Sequence, residues 1–133
     1  MCGILAIVSG PGRFKRADVR AALDTLLHRG PDDSNITSYR IGEREVWLAH
    51  RRLSILDLST SGRQPMHAEG PSGPGVVALN GEVYNHRVLR QDLTDRFEFR
   101  TTTDTEVLLA GLLHEGPSFV KRLNAMFAFA YLE

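Results

Sequence analysis

The chain carries one cysteine, Cys2, directly behind the initiator methionine. Removal of Met1, common ahead of a small residue, would place a thiol and a free α-amine on one residue. Such an amine titrates near about pH 7.7–8.0 and is partly neutral at physiological pH. Nucleophile and base would then be the same residue, with no separate histidine required. The alternative is a small apolar residue packed in the first strand, where most free cysteines are found. Acyl transfer also needs donors aimed at the developing oxyanion. Asn80-Gly81-Glu82 follows an apolar run and offers a side-chain amide and a glycine N–H, although Asn-Gly is equally the commonest hairpin turn. Arg52, in HRRLSI, could grip a carboxylate through two parallel hydrogen bonds; it could also be a surface arginine, and Arg51 could serve as well. Glu82 and Asp104 could hold an ammonium group, while Asp104 also suits a helix cap.

Composition narrows the chemistry. At 133 residues the chain is sized for one domain, and 42% apolar and 24% charged residues are ordinary for a globular protein. Sixteen Lys and Arg balance sixteen Asp and Glu, which argues against nucleic-acid binding, where a basic excess neutralises phosphates. A single cysteine allows no internal disulfide, no apolar run reaches the roughly 20 residues that span a bilayer, and the N-terminus lacks a signal-peptide pattern, so a cytoplasmic location is expected. Histidines 28, 50, 67, 86 and 114 have no metal-ligand spacing. A glycine-rich phosphate loop is absent as well.

The elements that must position these residues are read from periodicity. Ile4 to Val8 reads as a strand buried on both faces, closed by Gly10-Pro11-Gly12. Val19, Ala22, Leu23, Leu26 and Leu27 fall at helical spacing, with Gly30-Pro31 as the stop. Two strands, Ile36 to Ile41 and Glu45 to Ala49, meet across Gly42-Glu43, and Arg52 to Leu58 continues as strand or extended loop. Ser59 to Gly75 reads as a long irregular stretch. Val76 to Leu79 reads as a strand ending at Asn80-Gly81; Asn85 is positioned to cap a helix, and Phe97 to Arg100 reads as a brief strand. Thr103-Asp104-Thr105-Glu106 resembles a capping box opening a helix through Leu113, a shorter helix starts at Gly116-Pro117, and Met126 to Leu132 reads as a final strand. Strands and helices do not alternate regularly, which favours an α+β fold.

Seven stretches in order, MCGI, HRGPD (28–32), RLSILDL (52–58), QPM (64–66), NGEVYN (80–85), TDTEVLL (103–109) and MFAFAY (126–131), resemble the glutaminase domain of asparagine synthetases. That domain belongs to the class II, N-terminal-nucleophile glutamine amidotransferases. The resemblance implies a four-layer αββα sandwich with antiparallel sheets. It implies that Cys2 attacks the side-chain amide of L-glutamine, with Asn80 and the Gly81 N–H as oxyanion hole. Arg52 is similar to the residue that binds the substrate α-carboxylate. Glu82 and Asp104 match those that hold its α-ammonium, and main-chain groups at Leu53 and Ile55 would line the pocket. Ammonia would leave, and water would release glutamate from a thioester.

The resemblance also carries departures. The family usually has a glycine where this chain has Asn35, a residue that tolerates left-handed backbone. Family members continue past MFAFA, so the domain is expected to be incomplete at its C-terminus, with no synthetase domain. No cofactor is expected on this domain; ATP and Mg would belong to a separate synthetase domain or protein that receives the ammonia. The last strand would present an apolar edge open to oligomer formation. A non-catalytic paralogue that binds glutamine or a partner is the alternative.

Overall fold

The computed structural model describes residues 2–53 and 60–133. Its order is β1 (Gly3–Ser9), α1 (Arg16–Asp24), β2 (Asp33–Ile41), β3 (Arg44–Arg52), β4 (Met66–Gly70), β5 (Gly73–Val83), α2 (His86–Leu93), α3 (Asp104–Glu115) and β6 (Ala125–Leu132). Short 3-10 turns occupy Leu27–Arg29, Thr60–Gly62 and Gly116–Arg122. The strands form two antiparallel three-stranded sheets, ordered β1-β3-β2 and β4-β5-β6. The fold is therefore mixed, with antiparallel sheets, as the irregular order of elements predicts.

Alternation along β3 sets the packing, because successive side chains leave opposite faces. Trp47 and Ala49 join Val19 and Leu23 of α1 and Ile36 of β2 in one buried cluster. Val46 and Leu48 turn the other way and meet Val76 of β5. The opposite face of β5, through Val77, Leu79 and Val83, packs on Leu89 and Leu93 of α2 and on Val107 to Leu113 of α3. Helix α3 is buried almost all round, which its run of Val, Leu and Ala from 107 to 113 anticipates.

Several expectations are corrected. Strand β5 does not stop at Asn80-Gly81: it runs on to Val83, with Asn80 opposite Ala128 and Gly81 opposite Phe127 of β6. The dipeptide is thus not a hairpin turn, because β6 supplies a ladder for the whole length of β5. The stretch from Ser59 to Gly75 is not simply irregular. Met66–Gly70 pairs with the start of β5, and Pro71-Ser72 turns the hairpin. Strand β1 is not buried on both faces, since it lies at a sheet edge and Val8 is 66% exposed. Helix α1 ends at Asp24, and Leu27 is exposed in the 3-10 turn that follows.

Phe97 to Arg100 forms no strand. The backbone N–H of Arg100 and of Thr101 donate to the Glu106 carboxylate, at 2.8 and 2.7 Å, instead of to a neighbouring strand. That carboxylate is therefore only half of a capping box: Thr103 accepts from the Glu106 N–H, but Glu106 answers to Arg100 and Thr101. Asn85 stands at the N-terminus of α2 without capping it; its amide bonds Arg122 and Asn124 instead. Asn35 sits in β2, and among the described residues only glycines have positive φ. The hairpin at Gly42 is as expected, with φ of 55°. No helix among the described residues is long and apolar enough to cross a membrane.

Candidate active site

Two walls meet at one end of the sheets. The first is built by β1, β3 and the loop carrying HRGPD. Gly3 pairs with Arg51, so Cys2, one residue earlier, comes beside the end of β3. The Leu53 N–H donates to the Cys2 sulfur at 3.4 Å, and that sulfur lies 3.8 Å from the Leu53 carbonyl oxygen. Ile4 opposes His50, whose ring reaches across to β5, so Cys2, two residues before Ile4, falls on the side facing the second sheet. The Arg29 Nε–H donates to the Cys2 carbonyl at 3.0 Å, and the Asp32 N–H donates to the Arg52 carbonyl at 3.1 Å. Gly30 makes this closure possible: a Cβ there would lie 2.5 Å from the carbonyl carbon of Arg51.

Alternation separates the two candidate arginines. Arg51 shares the face of Trp47 and Ala49, and pairs with Asp24 of α1. Arg52 shares the face of His50, between the sheets, and is buried. Its guanidinium comes up against Gly62, where a Cβ would also touch Thr103, the N-cap of α3. Arg52 thus approaches the helix end that carries Asp104. Asp33, opposite Arg52 in the ladder, is partly buried, which works against its ionisation. Hydrogen bonds from Arg63 and from the Ser34 N–H, with the charges of Arg63 and Arg52, outweigh that and lower its pKa.

The second wall is the free edge of β5. Strand β4 leaves β5 after the Met66–Val77 pair. Beyond it, side chains bond the strand: the Leu79 N–H donates to Gln64 Oε1 at 2.6 Å, and the Val83 N–H donates to Asp104 Oδ2 at 2.9 Å. Backbone groups alternate sides along a strand, so the Gly81 N–H faces this same edge, midway between two occupied donors and with no strand opposite it among the described residues. Asn80, on the face between the sheets, has a buried Oδ1 with no hydrogen-bond partner. Asp104 is 6% exposed at the first turn of α3, and Glu82 is exposed at the rim.

The structure therefore gathers Cys2 with Leu53 and Arg52, and Asn80, Gly81 and Glu82 with Asp104. Ile55 lies outside the described residues. Three contributors escaped the sequence reading. Arg29 was visible only as part of HRGPD. Gln64 was visible only as part of QPM. His50 Nε2 donates to the Leu79 carbonyl at 3.0 Å, and nothing local marks it apart from the other histidines. Burial first, and Arg52 nearby, lower the His50 pKa to about 4 against the opposing hydrogen bond to Leu79, so the ring is neutral at pH 7. No cluster of metal-ligating groups occurs among the described residues.

The sequence matches the glutamine amidotransferase domain over residues 1–133. It is 39% identical over its whole length to the glutamine-hydrolyzing asparagine synthetase 2 of Arabidopsis thaliana, of which it covers 22%. It is 45% identical over 79% of its length to the glutamine-hydrolyzing asparagine synthetase B of Escherichia coli strain K12, covering 18% of that protein. It is also 39% identical over 97% of its length to the amidase chyE of Penicillium rubens, covering 20% of it. The chain thus spans about a fifth of the curated relatives it matches. With its N-terminal cysteine placed against Leu53 and the ordered motifs on facing walls, the chain belongs to the glutamine amidotransferase domain family.

Proposed function

We propose that this chain hydrolyses L-glutamine to glutamate and ammonia through Cys2. After loss of Met1, the α-amine takes the thiol proton and the sulfur attacks the side-chain amide carbon. Asn80 and the Gly81 N–H stabilise the oxyanion. Collapse of the tetrahedral intermediate expels ammonia, which carries away the proton held by the amine, and leaves a thioester. Water, deprotonated by the same amine, then releases glutamate and regenerates the thiol. Arg52 receives the α-carboxylate, and Glu82 and Asp104 receive the α-ammonium. Leu53 and Ile55 border the pocket through their main chain.

The observation that carries this reading is the open edge of β5, where the Gly81 N–H stands unmatched by a strand beside an amide with a buried, unpartnered end. The other end of that amide carries N–H donors, and an oxyanion is the acceptor such donors take. The arrangement of the core supports an αββα order of layers for the domain: α1 covers one sheet, α2 and α3 cover the other, and a third cluster lies between the sheets.

The names of the relatives support ammonia transfer to a synthetase step; we place that step on a separate domain or protein that would use ATP and Mg, in the cytoplasm. The presence of an amidase among them leaves aspartate as one of several acceptors. The test is glutamate release from glutamine by the purified chain, with intact mass to follow Met1. Cys2-dependent release is expected from chain that has lost Met1. Equal release by Cys2→Ala, or glutamine binding without turnover, overturns the reading.

A further inference from the structure

Gln64, in the QPM motif, touches none of the groups assigned to the reaction. It is 8% exposed and makes two hydrogen bonds, one from each end of its amide. Its Oε1 accepts from the Leu79 N–H at 2.6 Å, and its Nε2 donates to Thr105 Oγ1 at 3.1 Å. Leu79 immediately precedes Asn80. Thr105 immediately follows Asp104. One side chain therefore joins the strand that carries the oxyanion donors to the helix turn that carries a substrate anchor. The Leu79 carbonyl is fixed in turn by His50 Nε2 at 3.0 Å, so both backbone polar groups of Leu79 end on side chains where a neighbouring strand would otherwise hold them.

We infer that Gln64 is a positioning residue for the oxyanion hole: it substitutes for the missing strand at Leu79 and sets Asn80 and Gly81 at a fixed distance from the α3 N-terminus. The inference rests on the glutaminase reading. An amide suits the task because it offers an acceptor and a donor at once. A carboxylate offers only acceptors, and a hydroxyl is too short to span the two partners. The role differs from simple packing, because it acts on groups that strengthen their hold in the transition state and so weighs on kcat more than on KM.

The test compares Gln64→Met and Thr105→Val with the parent chain in glutamine hydrolysis. Gln64→Met keeps the volume and removes both bonds; Thr105→Val removes only the far one and holds if the first variant folds poorly. Gln64→Met is expected to lower kcat by about tenfold or more with KM for glutamine within about twofold, and Thr105→Val to fall between it and the parent. The rate of Cys2 alkylation by iodoacetamide should not change, because the sulfur is held by Leu53 on the other wall. Unchanged kcat per folded molecule, with only a lower Tm, overturns the inference and makes Gln64 a packing residue. A parent chain whose glutamate release does not depend on Cys2 overturns the glutaminase reading and the inference with it. An active parent matched by an equally active Gln64→Met overturns the inference alone.

Discussion

The two walls of the site are built by opposite means. The Cys2 wall is closed by main chain: Gly30 lets a loop run against Arg51 and Arg52, and the Cys2 sulfur and carbonyl are met by a backbone N–H and by Arg29. The β5 wall is held open by side chains. Gln64 and Asp104 occupy the N–H groups on either side of Gly81 and stop short of Gly81 itself. On the proposed reading Cys2 needs a rigid seat, which the contacts to its sulfur and carbonyl provide. A receiver for a charge that exists only during reaction needs donors that are fixed yet vacant, and a strand edge bonded at alternate positions provides them.

This contrast makes Asn80→Ala the most decisive substitution. On the proposed reading, kcat falls about 10²–10³-fold, or roughly 3–4 kcal/mol of transition-state stabilisation. Stability should not fall with it, because the lost amide includes a buried oxygen that has no partner. Steady-state hydrolysis and thermal melting of the same preparation read both quantities. A large loss of Tm with activity preserved would place Asn80 among the structural groups and erase the difference between the walls.

His50 gives the next effect, on stability. Its pKa is lowered to about 4 in the folded chain from 6.5. The unfolded chain therefore binds the additional proton between those values, and stability rises with pH across that window. Falling from pH 6.5 to 4, the fold should lose about 3 kcal/mol through this group. Below pH 4 the contribution is flat. Urea unfolding across pH 4–7 measures the slope, and His50→Gln, which keeps a donor for the Leu79 carbonyl, should remove most of it. A slope unaffected by His50→Gln would overturn the assignment to His50, because Asp33, held below its ordinary value of 3.8, loses its contribution only beneath this window.

What was legible in the sequence follows the same division. Cys2, Arg52 and Asp104 were singled out in the sequence by their types and by the ordered motifs around them. The residues alone left Arg51 open and only the resemblance named Arg52; the phase of β3, which sets Arg52 between the sheets, is not shown by the apolar run from Val46 to Ala49, since both faces of that strand are covered. Asn80-Gly81 misled because a local turn signal competes with a long-range ladder, and β6, more than forty residues downstream, decided it. The strand Met66–Gly70 hid among Pro, Gly and Ser for the same reason. Gln64 and His50 could not be singled out, because their purpose is to replace a strand whose absence only the sheet topology reveals.

The remaining predictions, the smallest of them at Gly30, come from the two glycines that bring backbones together, and they separate the walls by stability and by the reactivity of Cys2. At Gly81 a Cβ would overlap the Met126 carbonyl and lie 2.6 Å from Phe127 Cα. Relief there would mean pulling β6 away from β5 along rungs on both sides. At Gly30 the overlap is with Arg51 and Arg52, but Gly30 itself belongs to a loop that can lift. Gly81→Ala should therefore cost about 3 kcal/mol and Gly30→Ala about 1–2 kcal/mol. The loop shift in Gly30→Ala carries Arg29 away from the Cys2 carbonyl, so this milder variant should also change the Cys2 alkylation rate. Gly81→Ala, acting on the other wall, should leave that rate alone in whatever fraction remains folded. Urea titration and iodoacetamide kinetics on the pair test this. Equal costs, or alkylation altered in Gly81→Ala and not in Gly30→Ala, would mean that the walls are mechanically one body and that the seat of the nucleophile depends on the strand opposite it.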